Sequence, residues 1–243
     1  MKPVARAFLW LCLLTGTAAA QSGPSPYRAV LAAGETDVPV FDHATAAMRD
    51  RLLARGTAGV DIQRLSAEAA VIARDGVAAA TLDRVLGAIR LARPVPGQTC
   101  FVFVTSHGSP DLGLVLAPRE EFLTPRALDG ALVQGCGEAP TVVIASGCYS
   151  GDFVRPPMAR PNRIVLTAAR ANRPSFGCGA GYDFTVYDRC LLTAMDRSAT
   201  WRDAYAAIRV CVTAAERAEG FRASGPQAWF GAAVKDLSIP RWR

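Results

Sequence analysis

Three apolar runs constrain this chain most: "TCFVFVTSHG" (99–108), "TVVIASGC" (141–148) and "RIVLTAA" (163–169). A strand with one face in water alternates apolar and polar residues. These runs are apolar almost throughout, as strands covered on both faces must be. "YRAVLAAG" (27–34) and the alternating "VDIQRLSA" (60–67) read as further strands, "LGLVLAP" (112–118) as a short strand or hairpin arm, and "QAWFGAAV" (227–234) as a closing strand. Helical spacing of apolar residues marks 42–56 with Asp42 as N-cap, 80–92 stopped by Pro94, and 124–133 with Thr124 as N-cap and Pro125 at the first helical position. Segments 182–195 and 200–218 are two more helices. Strands alternating with helices predict an α/β fold, a three-layer α/β/α sandwich around a mostly parallel sheet of about six strands.

The first twenty residues stand apart. Lys2 and Arg6 precede the apolar "AFLWLCLLTGT", and "AAA" precedes Gln21, the layout of a secretory signal peptide cleaved after Ala20. The alternative, an uncleaved anchor, is disfavoured because about a dozen apolar residues fall short of the roughly 20 that a span needs. Residues 21–26 read as a flexible leader and 27–243 as one domain. Cleavage removes two positive and no negative charges, taking the formal net charge from +6 to +4. The remaining basic residues are scattered singly, which argues against nucleic acid. No later apolar stretch approaches a span, so no membrane association is expected after cleavage, and the product is expected to be exported, periplasmic or secreted.

Ligands in open parallel sheets gather beyond the carboxyl ends of the strands. Two such ends carry chemistry: one delivers His107 followed by Gly108, the other Cys148 preceded by Gly147. If the two strands are neighbours, the imidazole can take the thiol's proton, and the N–H of Gly108 can join that of Cys148 as an oxyanion hole. A lone cysteine or histidine is more often a packing or turn residue; their joint placement beside glycines favours catalysis. His43 has no such setting, and Ser150 in "GCYSG" lacks the spacing of a Gly-x-Ser-x-Gly elbow. With two histidines and no C-x-x-C pair, neither metal nor cofactor is expected. Setting Cys148 aside leaves five cysteines past Gln21 and at most two internal disulfides. Cys190 and Cys211, on consecutive helices joined by a short turn, are one candidate pair; the alternative is that both simply pack in the core.

"TSHGSPDLGLVLAPREEFLTPRALDGAL", "TVVIASGCYSGDF" and "RIVLTAARANRPSFGCG" together resemble the legumain family of cysteine peptidases, which shares the caspase-hemoglobinase fold. Histidine 41 positions before cysteine suits that arrangement. The Ala/Arg-rich composition and compact size look like bacterial members. The resemblance implies an endopeptidase or transpeptidase acting on peptide or protein substrates after Asn or Asp, with Cys148 as nucleophile, His107 as base and Gly108 as oxyanion donor. It places Ser175 along the substrate backbone. The family's acidic pocket residue two before the cysteine is replaced by Ser146. A second pocket acid falls nearest Asp188, although strict alignment puts Arg189 there, and the family's helper asparagine has Asp42 as its nearest polar match. Two rival readings are a transamidase of the same fold and a catalytically inactive peptide-binding relative.

Protein from the native host is expected to begin at Gln21 and to be recovered outside the cytoplasm. Intact mass checks this, and a membrane-bound product retaining Met1 to Ala20 rejects it.

Overall fold

A computed structural model describes residues 25–36, 38–179 and 181–242. The signal segment and residues 21–24 of the leader lie outside the described residues. Seven strands form the main sheet: β1 (Tyr27–Ala33), β2 (Ile62–Ser66), β3 (Ala78–Ala79), β4 (Thr99–Thr105), β8 (Thr141–Ser146), β9 (Arg163–Thr167) and β10 (Gln227–Phe230). Their order is β10-β9-β8-β4-β1-β2-β3. All neighbours run parallel except β10, which closes one edge antiparallel to β9. A second sheet of β5 (Gly108–Ser109), β6 (Gly113–Leu116) and β7 (Glu121–Leu123) follows β4.

Side chains leave a strand on alternate faces, so each central strand serves two cores. Phe101 and Phe103 of β4, with Val142 and Ile144 of β8, face a core built by α1 (Val40–Ala54), α5 (Val186–Arg197) and α6 (Trp201–Ala218). Cys100, Val102 and Val104, with Val143 and Ala145, face the opposite core under α3 (Leu82–Arg90) and α4 (Pro125–Gly135). Phe101 and Phe103 are wholly buried; truncating either to alanine costs about 3–5 kcal/mol. The result is the expected α/β sandwich, with one strand more than the six anticipated.

The additional pieces are short. Helix α2 (Ala69–Asp75) buries only Val71, and its boundaries come from the Glu68 side chain accepting from the Ala70 N–H and from Gly76 in the left-handed region. β3 has two residues, too few to show a period. Helix α1 begins at Val40, with Pro39 at its N-cap and no side-chain cap, because the Asp42 carboxylate is turned to Ser66 and Arg64 instead. Helix α5 begins at Val186, four residues later than its apolar spacing suggests, where Thr185 accepts from the Asp188 N–H. Thr124 caps α4 by accepting from the Ala127 N–H, with Pro125 next.

Two disulfides fasten helices to this frame. Cys100 of β4 joins Cys136 at the end of α4, with Cα atoms 5.8 Å apart. Cys190 of α5 joins Cys211 of α6, with Cα atoms 5.7 Å apart. The strand-to-helix pair has no short turn to announce it in sequence. Cys148 and Cys178 are the free thiols among the described residues. Protein folded oxidatively and unfolded without reductant should therefore expose two titratable thiols per mature chain, and peptide mapping should recover the 100–136 and 190–211 links. Four or more thiols would contradict this arrangement.

Candidate active site

β4 and β8 pair in register from Cys100 opposite Thr141 to Thr105 opposite Ser146. One further backbone bond, Ser106 N–H to the Ser146 carbonyl at 3.0 Å, continues the ladder. The two chains then leave the sheet side by side, one carrying His107 and Gly108 and the other Gly147 and Cys148. They pass so close that glycine is obligatory. A Cβ at Gly108 would overlap the Cys148 carbonyl oxygen, and one at Gly147 would come within 2.7 Å of the Ser106 carbonyl oxygen.

The turn after the cysteine explains the rest of "GCYSG". Tyr149 sits at φ 57°, a left-handed conformation that non-glycine residues seldom adopt. Its N–H donates to the Arg173 carbonyl at 2.8 Å. The Ser150 hydroxyl donates back to the Gly147 carbonyl at 2.8 Å and accepts from the Ala169 N–H at 3.3 Å. Ser150 is buried and engaged in this staple, which leaves Cys148 as the turn's half-exposed nucleophile candidate.

Among the described residues the Cys148 sulfur is hydrogen-bonded only to Ser175. The sulfur accepts from the Ser175 N–H at 3.2 Å, and the thiol donates to the Ser175 carbonyl at 3.5 Å, with the Ser175 hydroxyl 3.6 Å away. Phe176 follows and stacks on Phe221, their centroids 4.4 Å apart and their planes within 7°. His107 is half-buried, its ring edge-on to Phe41 at 5.3 Å. Cys178, packed beside Phe41 and Val40, is the second thiol of this region. Burial pushes the Cys178 thiol up from its ordinary pKa.

The other sequence candidates occupy different settings. Ser146 is buried beneath the strand ends, and Asp188 has no exposed surface at all. Asp188 lies in the first turn of α5, and the tertiary packing of that helix on the sheet is invisible to local pattern. Asp42 is also nearly covered. Its carboxylate accepts from Ser66 at 2.9 Å and Arg64 at 3.1 Å, and it lines a cavity of about 350 Å³ with His43, Arg64 and Glu68. Burial pushes the Asp42 carboxyl up, against the pull of Ser66 and Arg64. His43, on α1, has its Nδ1 3.1 Å from the Asp183 carbonyl oxygen. Sequence reasoning passes over Thr105 and Phe41, since a threonine ending a strand and an aromatic opening a helix carry no chemical signature.

Among the described residues no group of three or more His, Cys, Asp or Glu could hold a metal ion, and no helix is long and apolar enough to cross a membrane. The family model described as "Peptidase C13 family" matches residues 83–235, from α3 past β10, and so spans both His107 and Cys148. A search of curated proteins finds no match.

The close passage at Gly108 is directly testable. Gly108→Ala should slow iodoacetamide labelling of Cys148 about 10- to 100-fold by displacing the two backbones, while Cys178 labels at its former rate. An unchanged Cys148 rate would show that the two segments are not in contact.

Proposed function

We propose that this chain, which belongs to the Peptidase C13 family, is an exported cysteine endopeptidase whose nucleophile is Cys148 and whose general base is His107. The observation that supports it most is the register of β4 and β8, which sends the two residues off adjacent strand ends.

A neutral thiol is a weak nucleophile, so the imidazole first removes the Cys148 proton. The sulfur then bonds to the scissile carbonyl carbon, and the carbonyl electron pair moves onto oxygen. The N–H groups of Gly108 and Cys148 are the donors proposed for that oxyanion; one such donor is worth roughly 10²–10³ in rate. Collapse breaks the C–N bond, and the imidazolium gives its proton to the departing amine, a transfer worth roughly 10²–10⁴. Water, deprotonated by His107, attacks the thioester; the acid leaves and the thiol takes back its proton. The Ser175 backbone, already at the sulfur, is the edge along which the substrate chain lies. Asn or Asp before the scissile bond is the preference that the legumain resemblance implies.

Cys148→Ala should abolish hydrolysis across a peptide library while leaving the melting temperature nearly unchanged. Activity that survives in Cys148→Ala but disappears in Cys178→Ala would assign the nucleophile to the wrong thiol.

A further inference from the structure

We infer that Asp188 is a positioning residue whose carboxyl fastens the end of β4 to helix α5, and so sets the placement of His107 against Cys148; this rests on the roles proposed for those two residues. The strand ends are where placement is least secured. The β4–β8 ladder finishes at Thr105 and Ser146, and one backbone bond beyond it is all that continues the pairing. Thr105 lies two residues before His107, and Ser146 two before Cys148.

The alternation of side chains shows what happens at this rung. Phe101 and Phe103 on β4, and Val142 and Ile144 on β8, send apolar side chains to the α5 core. Two residues on, the same face presents a hydroxyl from each strand, Thr105 and Ser146. Opposite them, in the first turn of α5, is not an apolar residue but Asp188. The Thr105 hydroxyl donates to Asp188 Oδ2 at 2.6 Å, and the Asp188 N–H donates to the Thr185 hydroxyl that caps the helix.

Packing does not account for a carboxyl here. Asp188 is fully buried, and among the described residues its Oδ1 has no hydrogen-bond partner. Leaving such an oxygen unsatisfied is costly, and an apolar side chain would fill the space without that penalty. Burial pushes the Asp188 carboxyl up, while the hydroxyls of Thr105, Ser146 and Thr185 pull it back. Thr105 is the side chain that bonds the carboxyl directly, and Ser146 is the residue paired with Thr105 across the last rung. A carboxyl bonded to the end of β4 from the first turn of α5 is suited to holding that strand end at a fixed height over the helix. The helix N-terminus beneath it favours negative charge there as well.

The test separates placement from both substrate binding and bulk stability. Thr105→Val removes the hydroxyl and keeps the shape; Thr105→Ser keeps the hydroxyl. With a peptide cleaved by the unaltered protein, Thr105→Val and Asp188→Asn should each lower kcat about 10- to 100-fold, with KM within about twofold. Thr105→Ser should restore most of kcat. Iodoacetamide labelling of Cys148, read by peptide mapping, should slow in the same two variants. If Asp188→Asn does not fold, the Thr105 pair decides alone. Equal kcat in Thr105→Val and Thr105→Ser overturns the inference. So does a change confined to KM, which would make Asp188 a specificity residue, and so does a loss that follows the melting temperature. Failure of the underlying reading shows separately: Cys148→Ala would then hydrolyse peptide with Asp188 and Thr105 both intact.

Discussion

Beyond the last rung of the β4–β8 ladder, the backbone of Gly108 runs against the carbonyl of Cys148 with no room for even one side-chain carbon between them. Everything else at the site is arranged around that passage. The parallel register brings the two chains to the same edge together. The left-handed Tyr149 and the Ser150 staple then turn the cysteine's chain sharply away, so that the thiol stays half-exposed while Gly147 and Ser150 are buried. A nucleophile needs exposure and fixed placement at once, and here the glycines supply proximity while the turn supplies direction.

The two cores explain why this edge can be so exact. Each central strand is packed on both faces by helices, and the alternating residues of β4 and β8 divide cleanly between them. A close-packed interior transmits little slack. The strand ends are therefore delivered at set positions, and the segments at 147–151 and 173–178 have only to add the final turns. The short sheet of β5, β6 and β7 grows out of Gly108 itself, which pairs with Leu114 and so anchors the histidine's chain on its far side as well.

Much of this is legible in the amino-acid sequence, for reasons that differ by element. The runs at 99–105, 141–146 and 163–167 declare themselves because burial on both faces leaves no polar residue between their ends. His107, Gly108 and Cys148 stand out because their residue types are unusual where such runs end. The capping of α4 follows from Thr124 and Pro125. What is not legible depends on contacts distant in sequence. Asp188 is an acid in a helix's first turn, which by type alone suits a pocket; only the seating of α5 on the sheet puts it under the strand ends. Asp42 has the makings of an N-cap until Arg64 and Ser66, more than twenty residues later, claim its carboxylate. Helix α2 is seven residues of mostly alanine and charge, too brief for a 3.6-residue period to emerge.

The six cysteines from Cys100 onward fall in chain order as a bonded pair, two free thiols and a second bonded pair. Neither loop encloses the other, and neither contains Cys148 or Cys178. If the chain is exported N-terminus first, as proposed, each link joins a cysteine to the next one to arrive. The first loop can close before the Cys148 thiol has emerged, and the second needs no passage through the first. The bonding pattern is one that vectorial delivery reaches without isomerisation, and among the described residues it leaves Cys148 outside both loops that oxidation closes.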